Sequence, residues 1–115
     1  MFTASLSKYA DKVLDELDPT RELIAHRLFR DACLPSSAGY VKDLRLLGRD
    51  MKRTLIVDNS PVCYSLQPQN AIPINSWFSD PNDEDLSELQ TILEALADVE
   101  DIPEVLVSSM GSGLQ

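Results

Sequence analysis

Thr3 with Ser5, Lys42, and Asp58 with Asn59 are the polar positions in this sequence whose types could combine into one chemistry. Asp58 closes the apolar run Thr54-Leu55-Ile56-Val57 and is followed by Asn59-Ser60-Pro61. A carboxylate at a strand tip can hold Mg²⁺, which binds through one or two carboxylates plus substrate phosphate oxygens. Lys42 stands just ahead of a short helical pattern and can supply a point charge. Thr3 and Ser5 fall where a strand tip meets a helix N-terminus, a place where free backbone N–H groups receive anions. Hydroxyl with amides, lysine and carboxylate make half of a phosphoryl-transfer site, because that chemistry needs mainly positioning and charge neutralisation. The plainer reading stands beside it: Asp58-Asn59 as an Asx-type turn that merely leaves a strand.

The elements that must position these residues follow from spacing. A continuous apolar run bounded by turn formers, such as Thr54–Val57, predicts a strand buried on both faces of a parallel sheet. Ligands of such sheets bind at the carboxyl ends of the strands. Residues 1–5 read as the tail of another strand. Leu6, Tyr9, Ala10, Val13, Leu14 and Leu17 predict an amphipathic helix packed along one face, capped by Ser5 and ended at Asp18-Pro19. Residues 24–30 predict a strand or extended segment, and residues 35–39 a loop. Tyr40 to Leu47 leads into a short helix closed by Gly48. Pro61–Leu66 predicts a helical turn. Ala71–Ile74, interrupted by Pro73, predicts an edge strand covered by Trp77-Phe78. Asp80–Asp83 opens a long helix with acids in its first turn and Leu86, Leu89, Ile92, Leu93 and Leu96 as its buried stripe. A short helix over 103–107 and a disordered tail over 108–115 complete the chain. Helices alternating with strands predict an α/β fold with a parallel sheet.

The 115 residues suffice for one domain, with 43% hydrophobic and 25% charged residues in the ordinary globular range. A net charge of −9 argues against the whole chain binding a phosphate backbone and so against direct nucleic-acid binding. The charge is uneven: residues 19–53 carry eight basic and four acidic side chains, whereas residues 80–104 carry ten acidic ones and no Lys or Arg. A phosphate-bearing ligand would meet the middle of the chain, although charge alone fits solvated faces of mixed sign better. Cys33 and Cys63 lack metal-ligand spacing and fit a reduced intracellular setting better than a disulfide scaffold. His26 has no partner His, Cys or carboxylate at ligand spacing and reads as structural or surface. No apolar run is long enough to span a bilayer.

Phe2-Thr3-Ala4-Ser5, Tyr9-Ala10-Asp11, His26-Arg27-Leu28-Phe29-Arg30, Cys33, Tyr40-Val41-Lys42-Asp43-Leu44, Leu47-Gly48-Arg49-Asp50, Val57-Asp58-Asn59-Ser60-Pro61, Asn70-Ala71-Ile72-Pro73-Ile74 and Trp77-Phe78 resemble the small CTD phosphatases. These are the NLI-interacting-factor-like phosphatases of the haloacid dehalogenase superfamily, and the CTD small phosphatase-like branch is the most similar. The resemblance runs from Met1 to about Leu106. It implies a Rossmann-like, haloacid dehalogenase-type parallel sheet and Mg²⁺-dependent removal of phosphate from serine or threonine. Substrates of that kind include the RNA polymerase II carboxyl-terminal domain, and the setting implied is nuclear or cytoplasmic. By the same resemblance Thr3 matches a phosphate-contacting hydroxyl, Lys42 the phosphate-binding lysine, Asp58 the metal-binding aspartate and Asn59 the residue that orients the site.

The family's first motif, Asp-x-Asp-x-Thr, is absent from this sequence. Its first aspartate is the nucleophile that becomes an aspartyl phosphate and its second the general acid. Asp83-Glu84-Asp85-Leu86-Ser87 mimics the pattern, but it follows no buried strand and reads as acidic decoration of a helix N-terminus. In this fold the nucleophile strand lies beside the one ending at Asp58, which without it presents an unpaired apolar edge. The expectation is a carboxyl-terminal part of a phosphatase, incomplete at its first-motif strand, inactive and only marginally folded alone, with weak or no Mg²⁺ binding. Two alternatives stand: a non-catalytic phosphopeptide- or protein-binding module, and a relative of the mitochondrial import translocase.

Overall fold

Ile56–Asp58 forms the strand on which the molecule is built, buried at Ile56 and Asp58 and half-buried at Val57. The structure, a computed structural model, describes residues 1–75 and 84–113. Its elements in chain order are α1 (Ser7–Leu17), β1 (Leu34–Ser36), β2 (Gly39–Val41), β3 (Ile56–Asp58), β4 (Ala71–Pro73), α2 (Asp85–Leu96) and α3 (Ile102–Gly113). Short 3₁₀ turns at 30–32, 44–47, 51–53 and 68–70 link them.

β3 pairs in parallel with β4, in the register Ile56↔Ala71, Val57↔Ile72, Asp58↔Pro73. The proline sits on a strand whose one neighbour among the described residues is β3, so its missing N–H interrupts no second ladder. A second parallel contact, Phe2↔Leu28, joins the start of the chain to the extended segment before Arg30. It is closed by Leu28 N–H to Met1 O and Thr3 N–H to Leu28 O, both 2.9 Å. Mixed helix and strand around a small parallel sheet is compatible with an α/β fold.

One apolar cluster joins Ile72 to Leu96, Ile102 and Leu106, so α2 and α3 cover one side of β4. A second joins Ile56 and Ala71 to Leu44 beneath the 44–47 turn. Asn70, 1% exposed, donates its amide to Met51 O (2.9 Å) and Thr54 O (2.8 Å), fixing the start of β4 against the approach to β3. Arg53 reaches across to the carboxyl end of α2, donating to Leu96 O (3.3 Å), Ala97 O (2.6 Å) and Val99 O. It satisfies carbonyls that the helix itself leaves unpaired.

Several expectations are corrected. Ser5 does not cap α1: Leu6 occupies that position with no side-chain cap, and Ser5 donates its N–H to Thr3 Oγ1 at 3.1 Å. The Thr3 hydroxyl thus makes a local turn that delays the helix to Ser7. The helix also buries less than its spacing predicts. Ala10 and Leu14 are buried, but Leu6, Tyr9, Val13 and Leu17 are exposed. The 35–39 segment is a hairpin in which β1 and β2 pair antiparallel, and Tyr40-Val41 belongs to its second strand. Leu44–Leu47 is the short helix, closed by Gly48 at φ +69° as its glycine predicts.

Pro61–Leu66 is a run of turns carrying i to i+3 bonds such as Cys63 N–H to Ser60 O. The stripe on α2 narrows to Leu96, buried, and Leu89, half-buried, with Leu86, Ile92 and Leu93 exposed. The helix expected over 103–107 runs from Ile102 to Gly113, so residues 108–113 are helical where a disordered tail was expected. Trp77-Phe78 and the opening Asp80–Asp83 lie outside the described residues. Among the described residues no helix is long and apolar enough to cross a membrane.

Candidate active site

A cleft of about 700 Å³ opens at the carboxyl end of β3. Phe2, Thr3, Ser5, Tyr40, Lys42, Val57, Asp58 and Asn59 are among the residues that line it. Thr3, Lys42, Asp58 and Asn59, separated by up to 56 positions in the sequence, therefore face one space.

Lys42 follows β2 directly and is fixed by its own N–H, which donates to Cys63 O at 2.9 Å. Its side chain, 7% exposed, ends 2.5 Å from Asp58 Oδ2, whose side chain is 8% exposed. Each charge answers the other's desolvation, since either one buried alone would carry a large penalty. Asp58 Oδ1 accepts the Ser60 N–H at 3.0 Å. The Asx turn and the lysine contact thus coexist: one carboxylate oxygen shapes the exit from β3, and the other meets the cation. The next residue, Asp43, closes a separate network with Arg45 and Gln67. The Arg45 guanidinium, with help from the Gln67 amide, holds the Asp43 carboxyl at about 2. This anchors the backbone that carries Lys42, since Gln67 also accepts the Leu44 N–H at 3.0 Å.

Arg30 is the cleft residue that spacing alone did not single out. Its Nε donates to Ala4 O at 2.8 Å, and its Cζ stands 5.0 Å from the centre of the Tyr40 ring. Among the described residues Arg30 makes no ion pair, so a formal positive charge remains in the cleft after Lys42 and Asp58 cancel. No local spacing marks it, because its place depends on the pairing of Leu28 with Phe2. Leu28 bridges to Phe2, and Arg30, two positions on, comes up beside Ala4 and Ser5. His26 takes no part: its carbonyl accepts the Met1 amino group at 2.8 Å. Asp85 begins α2 rather than ending a strand, so the Asp83–Ser87 mimic does not form a strand-tip carboxylate pair in its described part.

The donor set falls short of a Mg²⁺ site by itself. Asp58 offers one carboxylate already engaged on both oxygens, and the described residues contain no cluster of three His, Cys, Asp or Glu side chains able to hold a metal. Mg²⁺ needs near-octahedral oxygen coordination, so Asp58 fits only as one ligand among several. The arrangement can do three things: receive an anion on Arg30 and Lys42, hydrogen-bond it through Thr3, and lend one carboxylate oxygen to a hard cation. It contains no activated nucleophile.

Phe2 and Val57, one residue from each parallel contact, both line this cleft. In a parallel ladder a residue directs both its backbone groups to the same neighbour, alternately left and right. Asp58 O accepts the Ile74 N–H at 3.2 Å, so Asp58 faces β4 and Val57 faces away, into the cleft. Leu28 likewise engages Met1 and Thr3, leaving the Phe2 backbone directed into the same space. Among the described residues nothing pairs with either edge.

Comparison with known proteins gives a consistent picture. The family described as NLI interacting factor-like phosphatase matches residues 1–103. A probable C-terminal domain small phosphatase of Dictyostelium discoideum is 55% identical over 109 residues, covering 95% of this chain and 35% of its own length. Two human relatives are the carboxy-terminal domain RNA polymerase II polypeptide A small phosphatases 1 and 2. They are 49% and 51% identical, covering 92% and 89% of this chain and 40% and 37% of their own lengths. The chain thus spans 35–40% of the length of these three relatives.

Proposed function

Because this chain belongs to the NLI interacting factor-like phosphatase family, we propose that it forms the phosphate-binding wall of a protein-serine/threonine phosphatase. The observation that carries this reading is the opening of Thr3, Lys42, Asp58 and Asn59 onto one cleft. In the reaction proposed, a carboxylate attacks the phosphorus of a phosphoserine or phosphothreonine, the side-chain oxygen departs with a proton from a general acid, and water hydrolyses the aspartyl phosphate. Lys42 and Thr3 hold the phosphoryl oxygens, and Asn59 orients them. Asp58 shares Lys42 with the incoming phosphate, and so can lend an oxygen to a metal when the phosphate draws the ammonium away.

The nucleophile and the acid belong to an Asp-x-Asp-x-Thr strand that this sequence does not contain. The space between Phe2 and Val57 is its proposed seat, and filling it would complete a Rossmann-like sheet by pairing both open edges. Mg²⁺ is the metal proposed for the completed domain, with Asp58 as one of its ligands; for this chain alone we expect weak binding or none. Phosphoserine proteins such as the RNA polymerase II carboxyl-terminal domain are the proposed substrates, in a nuclear or cytoplasmic setting.

The test is turnover of a phosphoserine peptide in the presence of Mg²⁺. The 115-residue chain alone should be silent, and addition of a relative's Asp-x-Asp-x-Thr segment should produce turnover that Lys42→Ala removes. Turnover by the chain alone, lost in Lys42→Ala, would refute the need for an added nucleophile. A second reading is favoured by the same geometry, in which anion contacts are present without an attacking group: a module that binds phosphopeptide and does not hydrolyse it. Binding that persists while the added segment yields no turnover would select it.

A further inference from the structure

We infer that Phe2 and Tyr40 are positioning residues, each ring holding one of the two cations of the cleft without consuming its hydrogen-bond donors. The inference rests on the reading of the cleft as a phosphate site. A carboxylate is the usual partner of a semi-buried cation, but a bidentate carboxylate would occupy the guanidinium donors that an anion needs. An aromatic face avoids that cost. A cation within about 6 Å of a ring centre is attracted by the ring quadrupole, and a guanidinium stacked flat keeps its edge N–H groups available.

Both cations lie within this distance of a ring, Arg30 with no carboxylate partner among the described residues and Lys42 with Asp58 as well. Arg30 Cζ lies 5.0 Å from the Tyr40 ring centre, while Nε alone is committed, to Ala4 O. Lys42 Nζ lies 5.6 Å from the Phe2 ring centre and gives one contact to Asp58. The rings are fixed by different devices. Tyr40 is set by the β1–β2 hairpin, opposite Pro35. Phe2 is set by its bridge to Leu28. The separation of the two cations is thus governed by the hairpin and the first strand, not by the anion.

The experiment uses the 115-residue chain with inorganic phosphate as the probe, followed by the side-chain nitrogen resonances of Arg30 and Lys42. In the parent, ring currents should displace the Arg30 Nε–H and Lys42 Nζ signals. Tyr40→Leu should abolish the first displacement, Phe2→Leu the second, and each should weaken phosphate binding about two- to fivefold, the range a partly exposed cation–π contact supplies. Tyr40→Phe keeps the face and should retain parent values in both readouts. Unmoved resonances in the leucine variants overturn the inference, as does a loss in Tyr40→Phe, which would make the hydroxyl the holding group. Displacements that respond as stated in a chain taking up no phosphate uphold the positioning and overturn the phosphate reading.

Discussion

Lys42 and Asp58 form a buried ion pair that the fold needs whatever the cleft binds. Removing the lysine leaves a carboxylate that is 8% exposed without its counter-charge. Lys42→Ala is expected to cost about 3 kcal/mol or more in urea unfolding, the usual penalty for orphaning one member of a buried pair. The double variant Lys42→Met with Asp58→Asn should recover much of that loss, because it removes both charges together. Asp43 belongs to a different regime. A carboxyl held at about 2 in the folded chain, against an ordinary 3.8, stabilises the fold fully above about pH 4. That stabilisation fades as pH falls through 2, and the thermal midpoint of Asp43→Asn should be flatter than the parent's between these limits. Residue types were readable in the sequence where they close an element: Asp58 after four apolar residues, Gly48 after Leu47. Arg30 was not, because its place in the cleft depends on a bridge between residues 26 positions apart, which no local spacing encodes.

Elements show the same division between what is local and what needs a neighbour. The helical period of residues 6–17 specified α1, but not how much of it is covered. Ala10 and Leu14 are buried while Tyr9 and Leu17 lie open, since nothing described packs on that side. The hairpin of β1 and β2 escaped because Pro35 and Gly39 read as loop formers, whereas here the glycine takes φ +138° where the turn enters β2. The parallel strand pair was legible from two apolar runs closed by turn residues. Its support was not: Arg53 ties off α2 from 43 to 46 residues away. Arg53→Ala is expected to lower stability by about 1–2 kcal/mol and to fray the last turn of α2, seen as lost helical signal before the main unfolding transition. Ile72→Ala, in the cluster with Leu96, Ile102 and Leu106, should cost about 2–4 kcal/mol by leaving a cavity beneath α2 and α3.

The molecule as a whole is lopsided, in charge and in packing. Basic residues gather in 19–53, which supply Arg30 and Lys42 to the cleft, and acidic ones in 80–104, whose described part includes α2 and the start of α3. That asymmetry was visible in the sequence, and it is the reason the proposed phosphate contacts were expected in the middle of the chain. Packing was not visible, because burial is a property of pairs. Both apolar clusters draw their members from residues 44–106, and neither includes a residue of α1. The amino-terminal portion is held together within itself by the Asp18 carboxylate, which accepts the N–H groups of Glu22, Leu23 and Ile24, and by the pairing of Arg27 with Asp11 and Asp15, and it meets later residues through the ring contacts of Phe2 with Lys42 and of Arg30 with Tyr40. Such an attachment lets one portion open while the other holds. In heavy water, amides of α1 should label well before those of β3 and β4, and a protease at low dose should nick between residues 19 and 25 and leave a larger carboxyl-terminal piece. Simultaneous labelling of both portions would mean that they open as one unit.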